Sequence, residues 1–394
     1  VQGDRPRLSY DITNGVVDSQ PHLLLEPSST NLVTFSEDFS NSYWTKSGAS
    51  VSSDVIVSPD GTLNADSLTE DSSNAVHFLQ RNFTSSSGSS YTYRIFVKMN
   101  GRKKIMLRES GSTGYYVAFD LLNNTILEQS NATGTINKIG NDWFELTHTS
   151  VAGTSFNIAY FLLPDNYTTG QPSAYQGDGS SGFYIYGAML EQQSFSTSYI
   201  PTAGTTITRA AETCNNSKPS VNSTEGVLYC EVAALADDLT YRVISISAGS
   251  SSNAVRFNYD GSANNKILAN FKSGGVTTAS LTFVVSDITS FTKVALKWKA
   301  NDFALWVDGS ERATDTSGSA PIGLNQIAFD NANGADDFYG KVKGLAVYNE
   351  ALSESQLMQL TGVTASSIYS NFVTRTASFT VEALNEVKKV IDNL

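Results

Sequence analysis

Between residues 91 and 98 the chain alternates, with Tyr91, Tyr93, Ile95 and Val97 on one side and Thr92, Arg94, Phe96 and Lys98 on the other. A period of two predicts a half-buried strand. Residues 182–191 alternate as well, but there both sets are largely apolar: Phe183, Ile185, Gly187 and Met189 against Tyr184, Tyr186, Ala188 and Leu190. A strand with two apolar faces belongs inside a sheet covered on both sides. Shorter runs of the same kind fall at residues 51–57, 76–82, 104–108, 115–120, 143–149 and 157–163. The turn residues Ser58-Pro-Asp-Gly61, Asn100-Gly101, Asn123-Asn124 and Gly140-Asn-Asp142 separate them. Many strands at short, regular spacing predict a sandwich or jelly roll.

After Glu191 the pattern dissolves into Ser, Thr, Gly and Pro, and residues 193–224 read as a linker. A second series of strands follows from residue 226 to 348. Within it Val294, Leu296 and Trp298 alternate with Ala295, Lys297 and Lys299. Beyond Ala300-Asn301-Asp302, the set Phe303, Leu305 and Val307 alternates with Ala304 and Trp306, which predicts a hairpin with one face in a core. Ser353 with Gln356 forms a capping box that opens a short helix, and Gly362 closes it. The expected fold class is therefore all-β, with two tandem antiparallel sandwiches (jelly rolls) and a short C-terminal helix. The expected divisions are an N-terminal strand and connection (1–35), a first sandwich (36–192), the linker (193–224), a second sandwich (225–362) and a helical tail (363–394). In that tail Thr380, Leu384, Val387, Ile391 and Leu394 form a two-heptad seam, which predicts self-association or docking on its own domain.

Charged residues make up only 16% of the 394, and the net charge is −12. That balance disfavours a polyanionic partner such as nucleic acid, and the one basic run, Arg102-Lys103-Lys104, reads as a solvated turn. No apolar run approaches the roughly 18 residues of a membrane helix, and no signal-peptide pattern opens the chain. Cys214 and Cys230 are too few for a disulfide scaffold and read as two unpaired thiols, with a bridge as the alternative.

Several spaced motifs resemble a segment recurrent in bacteriophage tail and virion-surface proteins. They are Pro6-Arg-Leu-Ser-Tyr10, Leu23-Leu-Leu-Glu-Pro27, Thr30-Asn-Leu32, Ser36-Glu-Asp-Phe39, Tyr43-Trp-Thr-Lys46, the run from Tyr175 to Glu191, Thr197-Ser-Tyr-Ile-Pro-Thr202 and Thr208-Arg-Ala-Ala211. The resemblance covers about residues 5–214 and implies a virion protein with a jelly roll similar to carbohydrate-binding modules. Leu296-Lys-Trp298, Leu305-Trp-Val-Asp-Gly309 and the run from Phe338 to Tyr348 make residues 225–362 similar to laminin-G-like, or concanavalin A-like, lectin sandwiches. Together these imply a particle-surface protein, synthesised in a host cytoplasm, that meets other virion proteins and self-associates as a trimer.

Chemistry is sparse in the sequence. No Glu-x-Asp-x-x-Glu strand of the glycosidase kind occurs, and His22, His77 and His148 stand far apart without a metal motif. Catalysis is not expected. Sugar binding needs an aromatic face ringed by polar groups, for which Trp306, Tyr184, Tyr186 and Tyr259 are the candidates. The oxygen-rich loop with Asp330, Asn331, Asn333, Asp336 and Asp337 suits a structural Ca²⁺, and Asp165 and Asp178 form a weaker second candidate. The expected function is non-catalytic adhesion to a host-surface or environmental glycan. The alternatives are a purely structural fibre or capsid-decoration subunit, and a polysaccharide depolymerase.

Overall fold

The computed structural model describes residues 7–109, 114–153, 155–215 and 217–362. They fold as two compact units, each entered more than once by the chain. Of these, residues 10–19 and 28–210 belong to the first unit, and residues 7–9, 20–27 and 211–362 to the second. Antiparallel strands dominate both units, and the helix found among the described residues is Glu354–Thr361. The all-β, two-sandwich class read from the spacing of strands and turns is the class that forms.

The first unit contains two six-stranded sheets. One runs, in spatial order, Thr125–Ser130, Tyr116–Asp120, Lys104–Glu109, Ser155–Leu163, Phe78–Thr84 and Thr45–Ser47. The other runs Thr133–Gly140, Trp143–Val151, Ser90–Asn100, Gly182–Glu191, Leu63–Glu70 and Ala49–Val57. Tyr91, Tyr93, Ile95 and Val97 turn inward to meet Leu107, Phe119, Ile158 and Tyr160 of the opposite sheet. Each such fully buried side chain contributes roughly 1.5–3 kcal/mol.

Gly182–Glu191 lies in the interior of its sheet, as its two apolar faces require. Its alternation does not run straight through, however. Gly187 takes φ +66°, and the register with Ser90–Asn100 slips between Arg94 and Phe96. Phe183 and Ile185 enter the core before this bulge, Ala188 and Leu190 after it. A Cβ at Gly187 would stand 2.9 Å from the Phe96 ring, so glycine is needed for space as well as for φ.

The motifs of the first unit are tied into one buried network. Asn31 donates to the carbonyls of Ala188 (3.1 Å) and Ile200 (2.8 Å) and accepts from the amides of Val33 (3.0 Å) and Leu190 (3.1 Å). The buried Glu191 carboxylate accepts from the Ser29 and Thr197 hydroxyls and from the Thr197 amide at 3.0 Å. Ser36 Oγ accepts the Thr202 amide at 2.8 Å.

In the second unit a seven-stranded sheet runs Arg7–Ser9, His22–Leu25, Gly340–Tyr348, Glu225–Ala234, Thr292–Lys299, Phe303–Val307 and Ser310–Asp315. Its five-stranded partner runs Val276–Val284, Lys266–Ser273, Ala254–Tyr259, Arg242–Ser247 and Gln326–Ala328. Arg7–Ser9 is thus the edge strand of this sheet and His22–Leu25 its inner neighbour, while residues 10–19 and 28–35 belong to the first unit. Arg7 pairs with the Glu26 and Glu212 carboxylates, and Glu212 accepts the Glu26 amide at 2.9 Å, which anchors the edge. Within residues 193–224 the chain passes from the first unit to the second, between residues 210 and 211. Ile200 and Thr202 are buried in the first unit, while Cys214 and Val221 pack on the core of the second.

Cys214 and Cys230 are both free, and burial pushes both thiols up. Helix Glu354–Thr361 opens with the expected box, the Ser353 amide donating to Gln356 Oε1 at 2.9 Å. Gly362 follows it in extended conformation (φ −66°, ψ 154°), so the helix stops without a left-handed cap. The seam of Leu384, Val387, Ile391 and Leu394 lies outside the described residues. Among those described, no helix is long and apolar enough to cross a membrane.

Candidate functional site

The outer face of the sheet carrying Gly182–Glu191 holds an open groove. The turn Gly140-Asn141-Asp142 sets one wall: Asn141 (φ +48°) and Asp142 (φ +61°) are both left-handed, as a tight hairpin demands. This turn starts the strand Trp143–Val151 with Trp143 directly opposite Lys98. Lys98 in turn lies opposite Tyr184 on its other side, and Tyr184 opposite Ser67. Since Val97, Phe144 and Ile185 point into the core, their neighbours Lys98, Trp143 and Tyr184 share the outer face.

The opposite wall is the end of the hairpin joining Ala49–Val57 to Leu63–Glu70. Its turn is closed by Ser58 N to Thr62 O (2.9 Å) and Gly61 N to Ser58 O (3.1 Å). Between the walls lies a groove of about 580 Å³, lined by Ile56, Val57, Ser58, Lys98, Asn141, Asp142, Trp143 and Tyr184. That volume falls in the range of small-ligand sites. Trp143 is buried against Ala65 and Tyr186 and reaches the groove at its margin, whereas Tyr184 is partly exposed. Lys98 Nζ donates to the Asn141 carbonyl at 2.8 Å, and Lys138 pairs with Asp142 at 3.1 Å.

Next to this row the Tyr186 hydroxyl contacts Asp60 Oδ2 (2.8 Å) and Glu37 Oε1 (3.1 Å), and Tyr199 donates to Glu37 Oε1 at 3.0 Å. Burial pushes the Tyr186 hydroxyl up, reinforced by Asp60 and Glu37. Burial acts against Asp60, but hydrogen bonds from Thr62, Ser58 and Tyr186 outweigh it and hold this carboxyl well below the usual range. These carboxylates are thus engaged by the protein's own donors.

Three of the four aromatic candidates are corrected here. Trp306 does face away from the main core, opposite Leu305, but the helix Glu354–Thr361 covers it. It packs with Leu352 and Leu357 at 4% exposure. Tyr259 lies between the sheets at 1% exposure and donates to the Val232 carbonyl at 3.1 Å. Tyr186 stands on the outer face but is 3% exposed beneath Phe96 and Tyr199. Only Tyr184 of the four lines the groove. Trp143 and Lys98 were not singled out from sequence. The signal was present in the alternation of residues 143–149, but only the pairing register joins it to Lys98 and Tyr184.

The oxygen-rich loop is organised by its own donors. Asp330 Oδ1 accepts the Ala332 amide (2.6 Å), Asp336 Oδ2 accepts Asn331 Nδ2 (2.8 Å), Asn333 Oδ1 accepts the Ser251 amide (3.2 Å), and Asp337 Oδ2 accepts the Tyr339 hydroxyl (3.0 Å). Asp165 pairs with Lys103 at 2.9 Å, and Asp178 Oδ1 caps the Ser180 and Ser181 amides at 2.7 Å each. Among the described residues, no three or more His, Cys, Asp or Glu side chains gather as a metal site. A second cavity, of about 260 Å³, lies within the second unit beside Phe283, Asp287, Phe291, Asp308 and Arg312.

Comparison with known proteins bears on the second unit. Residues 232–358 match the model of the concanavalin A-like lectin/glucanases superfamily. That stretch is about a third of the chain and lies within the second sandwich, so this unit is lectin-like in fold. Comparison with curated proteins finds no match. Among solved structures, the Ruminococcus gnavus IT-sialidase CBM40 is 16% identical, covering 36% of this chain and 84% of its own at a TM-score of 0.31. Domains LG4-5 of the mouse laminin alpha1 chain are 10% identical, covering 72% and 90% at 0.28. Sheep galectin-11 is 8% identical, covering 34% and 98% at 0.26. At TM-scores this low they specify neither site nor ligand.

Proposed function

We propose that this chain is a non-catalytic adhesin of a bacteriophage virion, a tail, tail-fibre or particle-surface protein, which holds host-surface or environmental glycan in the groove beside Tyr184. The observation that carries the reading is the cross-strand row Trp143–Lys98–Tyr184 along an open groove. A pyranose has one apolar face and a rim of hydroxyls. A partly exposed tyrosine ring beside Ser58, Asn141 and Lys98 offers both kinds of partner. The lectin-like match of residues 232–358 supports a carbohydrate ligand, and the phage-like motifs of residues 5–214 support a place on the particle. Synthesis in the host cytoplasm suits two thiols that stay free.

Binding is expected to be weak per site, with Kd on the order of 0.1–1 mM, and to gain strength through multivalency. A glycan array followed by titration calorimetry tests this. Tyr184→Ala should weaken binding by roughly tenfold or more while Tyr184→Phe retains most of it. Equal binding by the chain and by Tyr184→Ala would remove the groove from the reading. Multivalency would come from the tail, whose apolar stripe at Leu384, Val387, Ile391 and Leu394 must be covered in a stable helix. The full chain is therefore expected to scatter light as a trimer, and a chain ending at Gly362 as a monomer. If both run as monomers, the trimer is excluded.

One observation favours the structural-subunit alternative. The motif residues Asn31, Ser36, Glu191 and Thr202 are engaged in internal hydrogen bonds, and such bonds hold a fold whether or not a ligand is present. An array without any binding would select it.

A further inference from the structure

The geometry points to a carboxylated sugar as the class of glycan that the groove takes, with Lys98 as the group that reads the carboxylate. This rests on the glycan-binding reading above and adds the chemistry of the ligand. Lys98 sits at the centre of the cross-strand row, directly opposite Trp143 on one neighbour and Tyr184 on the other. Its ammonium has three hydrogens, and the partner found for it among the described residues is the uncharged Asn141 carbonyl at 2.8 Å. The carboxylate in the lining, Asp142, pairs with Lys138 at 3.1 Å. Asp60, beyond Ser58, is occupied by the Ser58, Thr62 and Tyr186 hydroxyls. Among the described residues no carboxylate is found in ion-pair distance of this cation, in a chain that is otherwise strongly acidic.

Neighbouring strands stand about 4.8 Å apart, so a ring seated on Tyr184 places a substituent at its edge within reach of the Lys98 ammonium. A carboxylate in that position adds an ion pair to the hydrogen bonds that the ammonium donates, whereas a neutral hydroxymethyl there accepts a hydrogen bond without the opposite charge. The expected preference for the acidic sugar is roughly tenfold. The overall net charge of −12 repels acidic polymers at long range, so the preference comes from contact and not from steering.

Titration calorimetry on the full chain with four probes tests this: trigalacturonate against neutral galactotriose, and sialyllactose against lactose. The two pairs separate a uronate from a sialate source of the carboxylate. At least one acidic probe should bind about tenfold more tightly than its neutral partner. Lys98→Met, which keeps the stem between the two rings, should abolish that difference and lower neutral binding only by the loss of a single hydrogen bond, while Lys98→Arg should keep it. Equal affinity for acidic and neutral partners, or a preference that survives in Lys98→Met, overturns the carboxylate assignment and leaves the glycan-binding reading in place. Absence of binding to all four probes and across the array overturns both.

Discussion

Asn31→Ala is expected to destabilise the first sandwich by on the order of 4 kcal/mol, the largest effect predicted for any single truncation in this network. The side chain is fully buried and satisfies four backbone groups from three segments: the carbonyls of Ala188 and Ile200 and the amides of Val33 and Leu190. Alanine leaves all four without that partner. Each unsatisfied buried group costs about 1–3 kcal/mol, less whatever an entering water restores. For a domain of this size 4 kcal/mol corresponds to a Tm lower by roughly 8–16 °C, which calorimetry on the intact chain resolves. The carbonyl of Ile200 belongs to the segment leading to Pro201, so amide exchange should also rise around Thr197 and Thr202. A loss below about 1 kcal/mol would show that the segment is held by its apolar contacts alone.

The second large effect is acid sensitivity through His148. Its ring is fully buried, stacked on Tyr93 at 4.4 Å between centroids. Burial pushes the imidazole down to about 3, against a smaller opposing influence of backbone groups. The unfolded chain binds a proton at this residue near pH 6.5, the folded chain only near 3, so the unfolded state takes up the proton first. The contribution is therefore complete above pH 6.5 and is lost as pH falls, by up to about 1.4 kcal/mol per pH unit toward 3. Asp66 acts in the opposite direction. Burial raises its carboxyl to about 6 despite the Phe39 and Asp54 amides, so its protonation favours the folded state between about 6 and 4. The clean measurement is a difference. From pH 6.5 to 5.0 the stability of the chain relative to His148→Leu should fall by about 2 kcal/mol in urea titrations, since Asp66 is common to both. Parallel pH profiles for the two would mean that water or a shift of the backbone hydrates the ring.

Tertiary coverage explains why the aromatic candidates separated as they did. Trp306 and Tyr184 look alike in the sequence, each an aromatic residue opposite a core-facing neighbour. The helix Glu354–Thr361, some fifty residues further along, closes over Trp306, while nothing among the described residues closes over Tyr184 to the same degree. Alternation tells which side of a strand a residue takes, but not what covers that side.

The sequence by itself determined that the chain is β-rich, because a period of two and the glycine- and asparagine-bearing turns are local properties of neighbouring residues. It determined that Gly182–Glu191 lies inside a sheet, that Gly140-Asn-Asp142 is a turn, and that Ser353 and Gln356 open a helix. Tertiary structure alone decided the rest. It assigned Arg7–Ser9 and His22–Leu25 to the second sandwich, because His22–Leu25 pairs with a strand more than 300 residues away in the chain, Gly340–Tyr348, and carries Arg7–Ser9 on its other side. It turned the motif residues Asn31 and Glu191 into a buried clasp, and it placed Trp143, Lys98 and Tyr184 in one row. Strand register is a long-range quantity: each strand carries its own alternation, but only packing of the whole sandwich sets which residue of one strand stands opposite which residue of the next.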